Sequence, residues 1–322
     1  MTRRTVDIHS HFVPDFYRTA LIDAGHDHPD GIKGIPEWNQ RLALDSMDRL
    51  DIDVAVLSIS SPGVHFGDDA KAAELARAVN EEAARLKEAN PDRFGFFASL
   101  PLPDIDASIA EARFALDELH ADGIVLETNH HGMYLGDERL EAVYAEVSAR
   151  SSVIFIHPTS APGAEHLALG YPRPMLEFMF ETTRSVTNMI LSGVLERHRD
   201  ARVVVPHAGA ALSVLANRIE LLLPLLTPPG GHVPPSMREA LRSLHFDLAG
   251  APVDELLTAL LSVADPDNIH YGSDYPFTPA DACVGLKKKL DGTSTLDGEL
   301  RQRILSENSL RLFPRLRTAQ AP

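Results

Sequence analysis

Cysteine is almost absent from this chain of 322 residues, which contains Cys283 and no other. A single thiol excludes an intrachain disulfide, and chains without disulfides are typical of a reducing compartment. Long apolar runs are also missing: no window approaches the roughly 18 apolar residues of a membrane span, and no apolar leader precedes the first strand-like run at Thr5. We therefore predict a cytoplasmic protein that does not enter the membrane.

Positive charge is scarce relative to negative charge. The chain has 30 lysines and arginines against 46 aspartates and glutamates, which gives a formal net charge of −16. The electrostatic field of so negatively charged a protein repels nucleic acids and anionic lipid surfaces. We therefore exclude both as partners and expect a small-molecule substrate. If that substrate is an anion, a metal ion or an arginine has to attract it locally.

Apolar residues, by contrast, are plentiful at 44% of the chain, and they occur in short runs. Eight runs have the length and composition of buried strands: residues 5–11, 54–60, 94–100, 123–128, 153–159, 202–208, 244–250 and 268–274. Segments with helical spacing lie between them, at 69–90, 105–120, 139–150, 212–226 and 252–264.

This alternation predicts a parallel sheet with helical crossovers. Eight such units fit a closed (β/α)8 TIM barrel better than an open doubly wound sheet. The first strand is also not followed by the G-x-G-x-x-G loop of a dinucleotide-binding fold. Because no flexible linker divides the sequence, we predict a single barrel domain over residues 1–322.

Two predicted loops are longer than the others. Residues 12–39 form an insertion after the first strand, and loops in that position lie over the catalytic face of a barrel, so we predict a substrate lid. The proline-rich and glycine-rich segment 227–236 follows a helix instead, and we place it on the opposite side of the barrel.

Histidine and aspartate recur where the predicted strands end. The first strand ends in Asp7-Ile8-His9-Ser10-His11, and residues two apart on a strand point to the same side, so both imidazoles can reach one metal ion. Strands five, six and eight end at His157, His207 and Asp274. The carboxyl ends of barrel strands form one face, which is where the catalytic residues of this fold lie.

These motifs resemble those of the amidohydrolase superfamily. The resemblance covers essentially the whole chain and rests on five motifs: DIHSH at 7–11, HP at 157–158, PHAGA at 206–210, GSDYPF at 272–277 and ENSLRLF at 307–313. Within the superfamily, the chain is similar to the non-hydrolytic branch typified by 2-amino-3-carboxymuconate-6-semialdehyde decarboxylase. The segment around 47–66 looks closest to 6-methylsalicylate and related hydroxybenzoate decarboxylases.

The resemblance implies a set of site residues. It makes His9, His11, His157 and Asp274 metal ligands, and it makes His207 a nearby acid or base. Strand four reads GIVLET at 123–128 and has no lysine for carboxylation, so one divalent ion is expected rather than two. Three imidazoles and a carboxylate suit zinc, with manganese as the competitor. Glu127 either enters the site or has a structural partner.

Other residues are candidates for substrate binding. By the same resemblance, Arg218 would reach across a homodimer interface to the neighbour's substrate carboxylate, although a helix-surface role fits equally well. Arg41 is a weaker candidate of that kind. Residues that could wall a flat aromatic ring, or simply pack in the core, are Phe12, Trp38, Phe66, Phe178 and Phe180.

The predicted function is nonoxidative decarboxylation of a hydroxylated aromatic or similarly conjugated carboxylic acid. Either Asp274 or His207 would deliver the proton to the reacting carbon. The first alternative is a metal-dependent hydrolase of a lactone or amide that uses the same ligands. The second is a catalytically inactive barrel that serves as a binding protein, which has no need of four ligands at strand ends.

Overall fold

The computed structural model describes residues 4–226, 235–250 and 253–317. Eight strands form one sheet in the order of the chain, each parallel to the next. They are β1 Val6–His11, β2 Val54–Ser58, β3 Phe94–Ser99, β4 Gly123–Glu127, β5 Val153–His157, β6 Arg202–Val205, β7 His245–Asp247 and β8 Ile269–His270. A two-stranded antiparallel hairpin of Asn129–His130 and Met133–Tyr134 follows β4.

Backbone hydrogen bonds join the first strand to the chain that continues from the last. The Ile8 N–H donates to the Tyr271 carbonyl at 3.0 Å, and the His11 N–H donates to the Tyr275 carbonyl at 2.7 Å. The sheet therefore closes on itself, which confirms the predicted (β/α)8 barrel.

Helices cover the outside of the sheet and connect its strands. In chain order they are α1 Asp15–Asp23, α2 Gln40–Leu50, α3 Asp69–Ala89, α4 Ile105–Arg113, α5 Glu141–Ala149, α6 Ala164–Leu167, α7 Glu177–Leu191, α8 Val194–Arg197, α9 Leu212–Leu226, α10 Met237–Ser243, α11 Asp254–Leu261, α12 Ala280–Gly292, α13 Gly298–Gln302 and α14 Asn308–Leu312. One π-helical turn continues α4 and another precedes α14. Over the described parts of the chain, no helix has both the length and the apolarity to cross a membrane.

Helix boundaries follow local signals. Helix α3 begins after Asp68, whose carboxylate accepts a hydrogen bond from the Lys71 N–H, and it buries a stripe of alanines together with Val79 and Leu86. Helix α2 begins after Asn39 in the same way and ends at Asp51, which has a left-handed backbone. Each helix thus satisfies its first free N–H groups before its apolar face packs on the strands.

The insertion after β1 is partly ordered into regular structure. It contains α1 and a short turn at Pro29–Gly31. The Arg18 guanidinium donates to the carbonyls of Ile35 and Pro36, which ties the end of the insertion to α1. The turn packs against the segment Arg173–Met175. Residues 227–234 lie outside the described residues, so the predicted position of the loop 227–236 does as well.

Candidate metal centre

The two histidines of β1 converge on one point. His9 and His11 are fully buried, and their Nε2 atoms lie 3.2 Å apart. A shift of register between Asp7 and Ser10 forms a bulge in this strand, and bulges near active sites commonly redirect side chains. The opposite nitrogen of each ring is held in place: His9 Nδ1 lies 2.9 Å from Asp247 Oδ2, and His11 Nδ1 lies 2.9 Å from Ser58 Oγ. Both Nε2 atoms are left for a ligand.

A third histidine joins them from the end of β5. The ring centroid of His157 lies 4.8 Å from that of His11 and 5.8 Å from that of His9. One nitrogen from each of the three rings lies within 4.8 Å of the others. Three imidazole nitrogens at this spacing can coordinate one metal ion together, with metal–nitrogen bonds of about 2.0–2.1 Å.

Asp274 supplies a carboxylate beside the histidines. Its Oδ1 lies 3.2 Å from His11 Nε2 and 3.6 Å from His9 Nε2, while Oδ2 accepts a hydrogen bond from the Thr278 hydroxyl. Burial alone would raise the pKa of Asp274, but the hydrogen bond with His11 and the charges of the surrounding histidines hold it below its usual range. The side chain is therefore a carboxylate at neutral pH.

His207 lies next to these four residues and is bonded differently. Its ring centroid is 5.1 Å from that of His9, and its buried Nδ1 has no hydrogen-bond partner. Burial, followed by the nearby charge of His9, lowers the pKa of His207 to about 4. The ring is consequently neutral at pH 7 and free to accept a proton.

The backbone around His207 and Asp274 is in an uncommon conformation. His207, Ala208, Ala210 and Asp274 all have positive φ angles, between 52° and 61°. Non-glycine residues with such angles are strained by roughly 1–3 kcal/mol each and tend to cluster at functional sites. These four residues lie beside the histidines of the centre, which agrees with a functional role there.

Two buried acids complete the surroundings of the centre. Asp247, at the end of β7, contacts His9 and also accepts hydrogen bonds from the N–H groups of His207 and Ala249. Glu127 has Oε2 3.4 Å from His157 Nδ1, without forming a hydrogen bond. Burial, and then the charge of Asp30, raises the pKa of Glu127 well above its usual value. The sequence interpretation overlooked Asp247, although an aspartate closing a buried strand was a visible signal.

The chemistry of this donor set fits a divalent metal ion. Three imidazole nitrogens and one carboxylate oxygen are hard-to-borderline donors that zinc and manganese accept. Burial lowers the pKa of His11 and of His157 to about 4, so both rings are in the neutral form that binds a metal.

A cavity of about 490 Å³ opens onto the centre. His157, His207 and Asp274 line it, and its other walls are mainly apolar, with Phe178, Phe277 and Met175 among them. Pro29, Asp30 and Ile32 of the insertion after β1 also belong to the lining, so the insertion covers the cavity as a lid does. Both volume and polarity are typical of a pocket for a small-molecule ligand.

The remaining predicted site residues are placed elsewhere. Phe12 and Trp38 pack against each other in the core, with ring centroids 6.0 Å apart, and neither belongs to the described lining of this cavity. Their apolar bulk is used for packing rather than as a wall. Arg218 and Phe180 are exposed on helices α9 and α7, and Arg41 is exposed near Asp45 on α2.

Comparison with known proteins places these features in a family. The amidohydrolase family model matches residues 6–315. The chain is 38% identical over 325 residues to the 6-methylsalicylic acid decarboxylase acuB of Aspergillus aculeatus, covering 98% of both proteins.

Solved structures agree with the fold. A crystal structure of an amidohydrolase II superposes with a TM-score of 0.90 at 34% identity, over 96% of this chain and 99% of that one. A 5-carboxyvanillate decarboxylase of Novosphingobium aromaticivorans, solved with manganese and a nitrobenzoic acid, has a TM-score of 0.85 at 19% identity over 97% and 96%. With nearly all of its length matched by the family model and by a relative of this similarity, the chain belongs to the amidohydrolase family.

Proposed function

We propose that this protein removes the carboxyl group of a salicylate-type acid, with 6-methylsalicylate as the model substrate. Several relatives are decarboxylases of hydroxylated aromatic acids, among them two 6-methylsalicylic acid decarboxylases and a gamma-resorcylate decarboxylase. The observation that carries the proposal is that three histidines, Asp274 and a neutral His207 meet at one wall of a cavity large enough for an aromatic ring.

His9, His11, His157 and Asp274 would hold the metal ion. When bound there, a divalent ion supplies Lewis acidity toward the oxygens of the substrate. We propose zinc as the ion, with manganese as the competitor that solved relatives contain. Metal analysis of the purified protein, followed by reconstitution with each ion separately, distinguishes the two.

His207 is the proposed proton carrier of the reaction. Its neutral ring would take up a proton from solvent and pass it to the ring carbon that bears the carboxylate. The bond from that carbon to the carboxylate would then break, and its electron pair would restore the aromatic ring as CO2 leaves. Asp274 is less suited to deliver the proton, since its Oδ1 faces two histidines and its Oδ2 is bonded to Thr278. His207 has a free buried nitrogen at the cavity wall, and Phe178 would hold the ring from the side.

The reaction is tested with a panel of acids. The purified enzyme is incubated with 6-methylsalicylate, salicylate and 2,6-dihydroxybenzoate, and both CO2 and the phenol are quantified. We expect stoichiometric CO2 and phenol from at least one acid. Metal-loaded protein that releases no CO2 but opens lactones or cleaves amides would instead be a hydrolase.

A homodimer completes the proposal. Arg218 is exposed on α9, the helix that also exposes Val214, Leu221 and Leu225, and a second copy would cover such an apolar face. An arginine fork suits a carboxylate, so the partner's copy of this residue would bind the substrate anion. Native mass spectrometry gives the oligomeric state, and Arg218→Ala is expected to raise KM without affecting metal content.

We also propose that the protein acts in the cytoplasm. The single buried cysteine supports a reducing compartment. Fractionation of the source cells tests this directly, and recovery of the protein from the secreted fraction would contradict it.

A further inference from the structure

A second cavity lies at the same end of the barrel as the metal centre. Its volume is about 450 Å³, and segments that follow β2, β4 and β5 form its walls, at residues 62–67, 129–132 and 159–162. Within the described chain, the two cavities have no lining residue in common. Glu127 belongs to the second wall and also lies beside His157, so one side chain connects this cavity to a proposed metal ligand.

Planar rings are concentrated in the wall of this second cavity. His26 and Phe66 have ring centroids 5.2 Å apart, His65 and His131 have centroids 4.6 Å apart, and His130 lies in the same wall. Such rings make favourable stacked or edge-on contacts with another flat ring. The volume is more than a monocyclic aromatic molecule needs, so a compound of that class fits both the size and the surface.

Two buried polar atoms of this wall have no hydrogen-bond partner. They are Oε2 of Glu127 and Nε2 of His130. Burial, and then the charges of His131 and His65, lowers the pKa of His130 to about 3, so its ring is neutral at pH 7. Unpaired buried polar atoms are costly, and a hydroxyl group can both donate to and accept from such atoms.

The charges of the wall favour an uncharged ligand. Of the described residues that line this cavity, none is a lysine or an arginine. His65 is already engaged, because its Nδ1 accepts from the Gly67 N–H and its Nε2 donates to Asp69. A carboxylate would therefore be desolvated here without a positive partner, which is strongly unfavourable. A neutral hydroxylated ring has no such penalty.

We infer that the second cavity binds the uncharged phenol that remains after a hydroxybenzoic acid has lost CO2. The identity of the phenol rests on the proposed function, whereas the preference for a neutral hydroxylated ring rests on the cavity alone. For 6-methylsalicylate the phenol is 3-methylphenol. The acid would bind in the first cavity, beside the metal centre. Its product no longer carries the carboxylate charge that keeps the acid out of the second cavity.

Calorimetric titration of the metal-loaded enzyme tests this inference. The probe is 3-methylphenol, and 3-methylbenzoate is its charged counterpart. His130→Ala removes the unpartnered nitrogen. Phe66→Ala removes an aromatic ring from the cavity wall and so tests the cavity independently of His130. His166→Ala is the control, because that side chain is exposed and does not line the cavity. Circular dichroism and metal content verify that each variant is folded.

We expect about tenfold weaker binding of 3-methylphenol in each cavity variant, unchanged binding in the control, and no competition from 3-methylbenzoate for this site. Equal affinity in the wild type and in both cavity variants would overturn the inference, and so would a carboxylate that competes equally. Failure of CO2 release from every acid would overturn the proposed function, but it would leave this titration valid. The two failures are therefore distinguishable.

Discussion

His207 is the histidine of the centre whose side chain is least restrained. Its buried Nδ1 has no partner, while its backbone N–H is fixed by Asp247. We expect His207→Asn to lower kcat by about 10²–10⁴-fold, which is the usual contribution of a general acid or base. Metal content is expected to stay near the wild-type value, since this residue is outside the proposed ligand set.

The control for this prediction is His166→Asn, at a histidine that is largely exposed. Steady-state kinetics with CO2 detection and metal analysis of the same preparations give both readouts. Turnover close to the wild-type rate in His207→Asn would remove this residue from the reaction.

Asp247 is expected to control metal affinity through His9. Its Oδ2 lies 2.9 Å from His9 Nδ1, the geometry in which a carboxylate fixes the ring of a metal-binding histidine. We predict that Asp247→Ala weakens metal binding by about 10–100-fold, measured by competition with a chelator. Asp291→Ala, which removes only a surface ion pair with Lys287, is the control. Unchanged affinity in Asp247→Ala would contradict this role.

At the scale of single residues, local patterns in the sequence predicted the histidines at the strand ends. Contacts between residues far apart in the chain were not predicted. Histidines at strand ends are a local pattern, and His9, His11 and His157 do come together. The contact of His9 with Asp247 joins residues 238 positions apart, so no local pattern contains it. The roles of Phe12 and Trp38 were ambiguous for a different reason: an aromatic residue can serve equally well in a core and in a pocket wall.

Close packing between strand β1 and the segment that follows β8 can be tested at Gly272. A Cβ at this glycine would lie 2.7 Å from His9 Cβ and 3.3 Å from Asp247 Cβ. We expect Gly272→Ala to cost about 1–3 kcal/mol in the free energy of unfolding and to reduce metal content by displacing His9. Gly285→Ala is the matched control, since this helical glycine has open space around its Cβ position. Equal stability of the two variants would show that the segment after β8 is farther from β1 than described.

A histidine pair on strands β7 and β8 predicts a loss of stability in acid. His245 Nδ1 lies 2.9 Å from His270 Nε2. Burial, and then the charges of Arg202 and Arg311, lowers the pKa of His245 to about 4. Below about pH 6.5 the unfolded chain takes up a proton at this residue and the folded chain does not. Its contribution to stability is therefore complete above pH 6.5 and is lost as the pH falls toward 4.

Urea unfolding between pH 7 and pH 4.5 measures this effect. The free energy of unfolding is expected to fall with decreasing pH, and His245→Gln is expected to reduce that slope by up to about 1 kcal/mol per pH unit. The pKa values of His11, His157 and His270 are also lowered, so the comparison with the variant is what isolates His245. Identical slopes in the two proteins would contradict the prediction.

At the scale of elements, periodicity predicted the strands well and their ends less well. All eight predicted strands occur, but most end before the predicted residue, such as β6 at Val205 and β8 at His270. The chain leaves the sheet near these points because His207 and Asp274 have positive φ angles, which place their side chains in the site. Helix α1 lies inside the insertion that we predicted as a loop, since one short amphipathic helix after Pro14 gives a weak signal.

At the scale of the whole molecule, the two ends of the chain depend on each other. Strand β1 is bonded to the segment after β8, and Phe313 and Leu316 pack in one apolar cluster with Val6 and Ile8. We therefore propose that residues 1–322 form one domain that unfolds as a unit. The site depends on this closure as well, because His9 and Asp274 are brought together only when the barrel is complete.

The most direct test of the account is metal removal and return, with CO2 release from 6-methylsalicylate as the readout. Dialysis against a chelator is expected to abolish CO2 release, and about one equivalent of zinc or manganese per chain is expected to restore it in the wild type. His9→Ala, treated identically, is expected to bind little metal and to remain inactive. Full CO2 release from the metal-free protein, or restoration of activity in His9→Ala, would contradict the assignment of the metal centre.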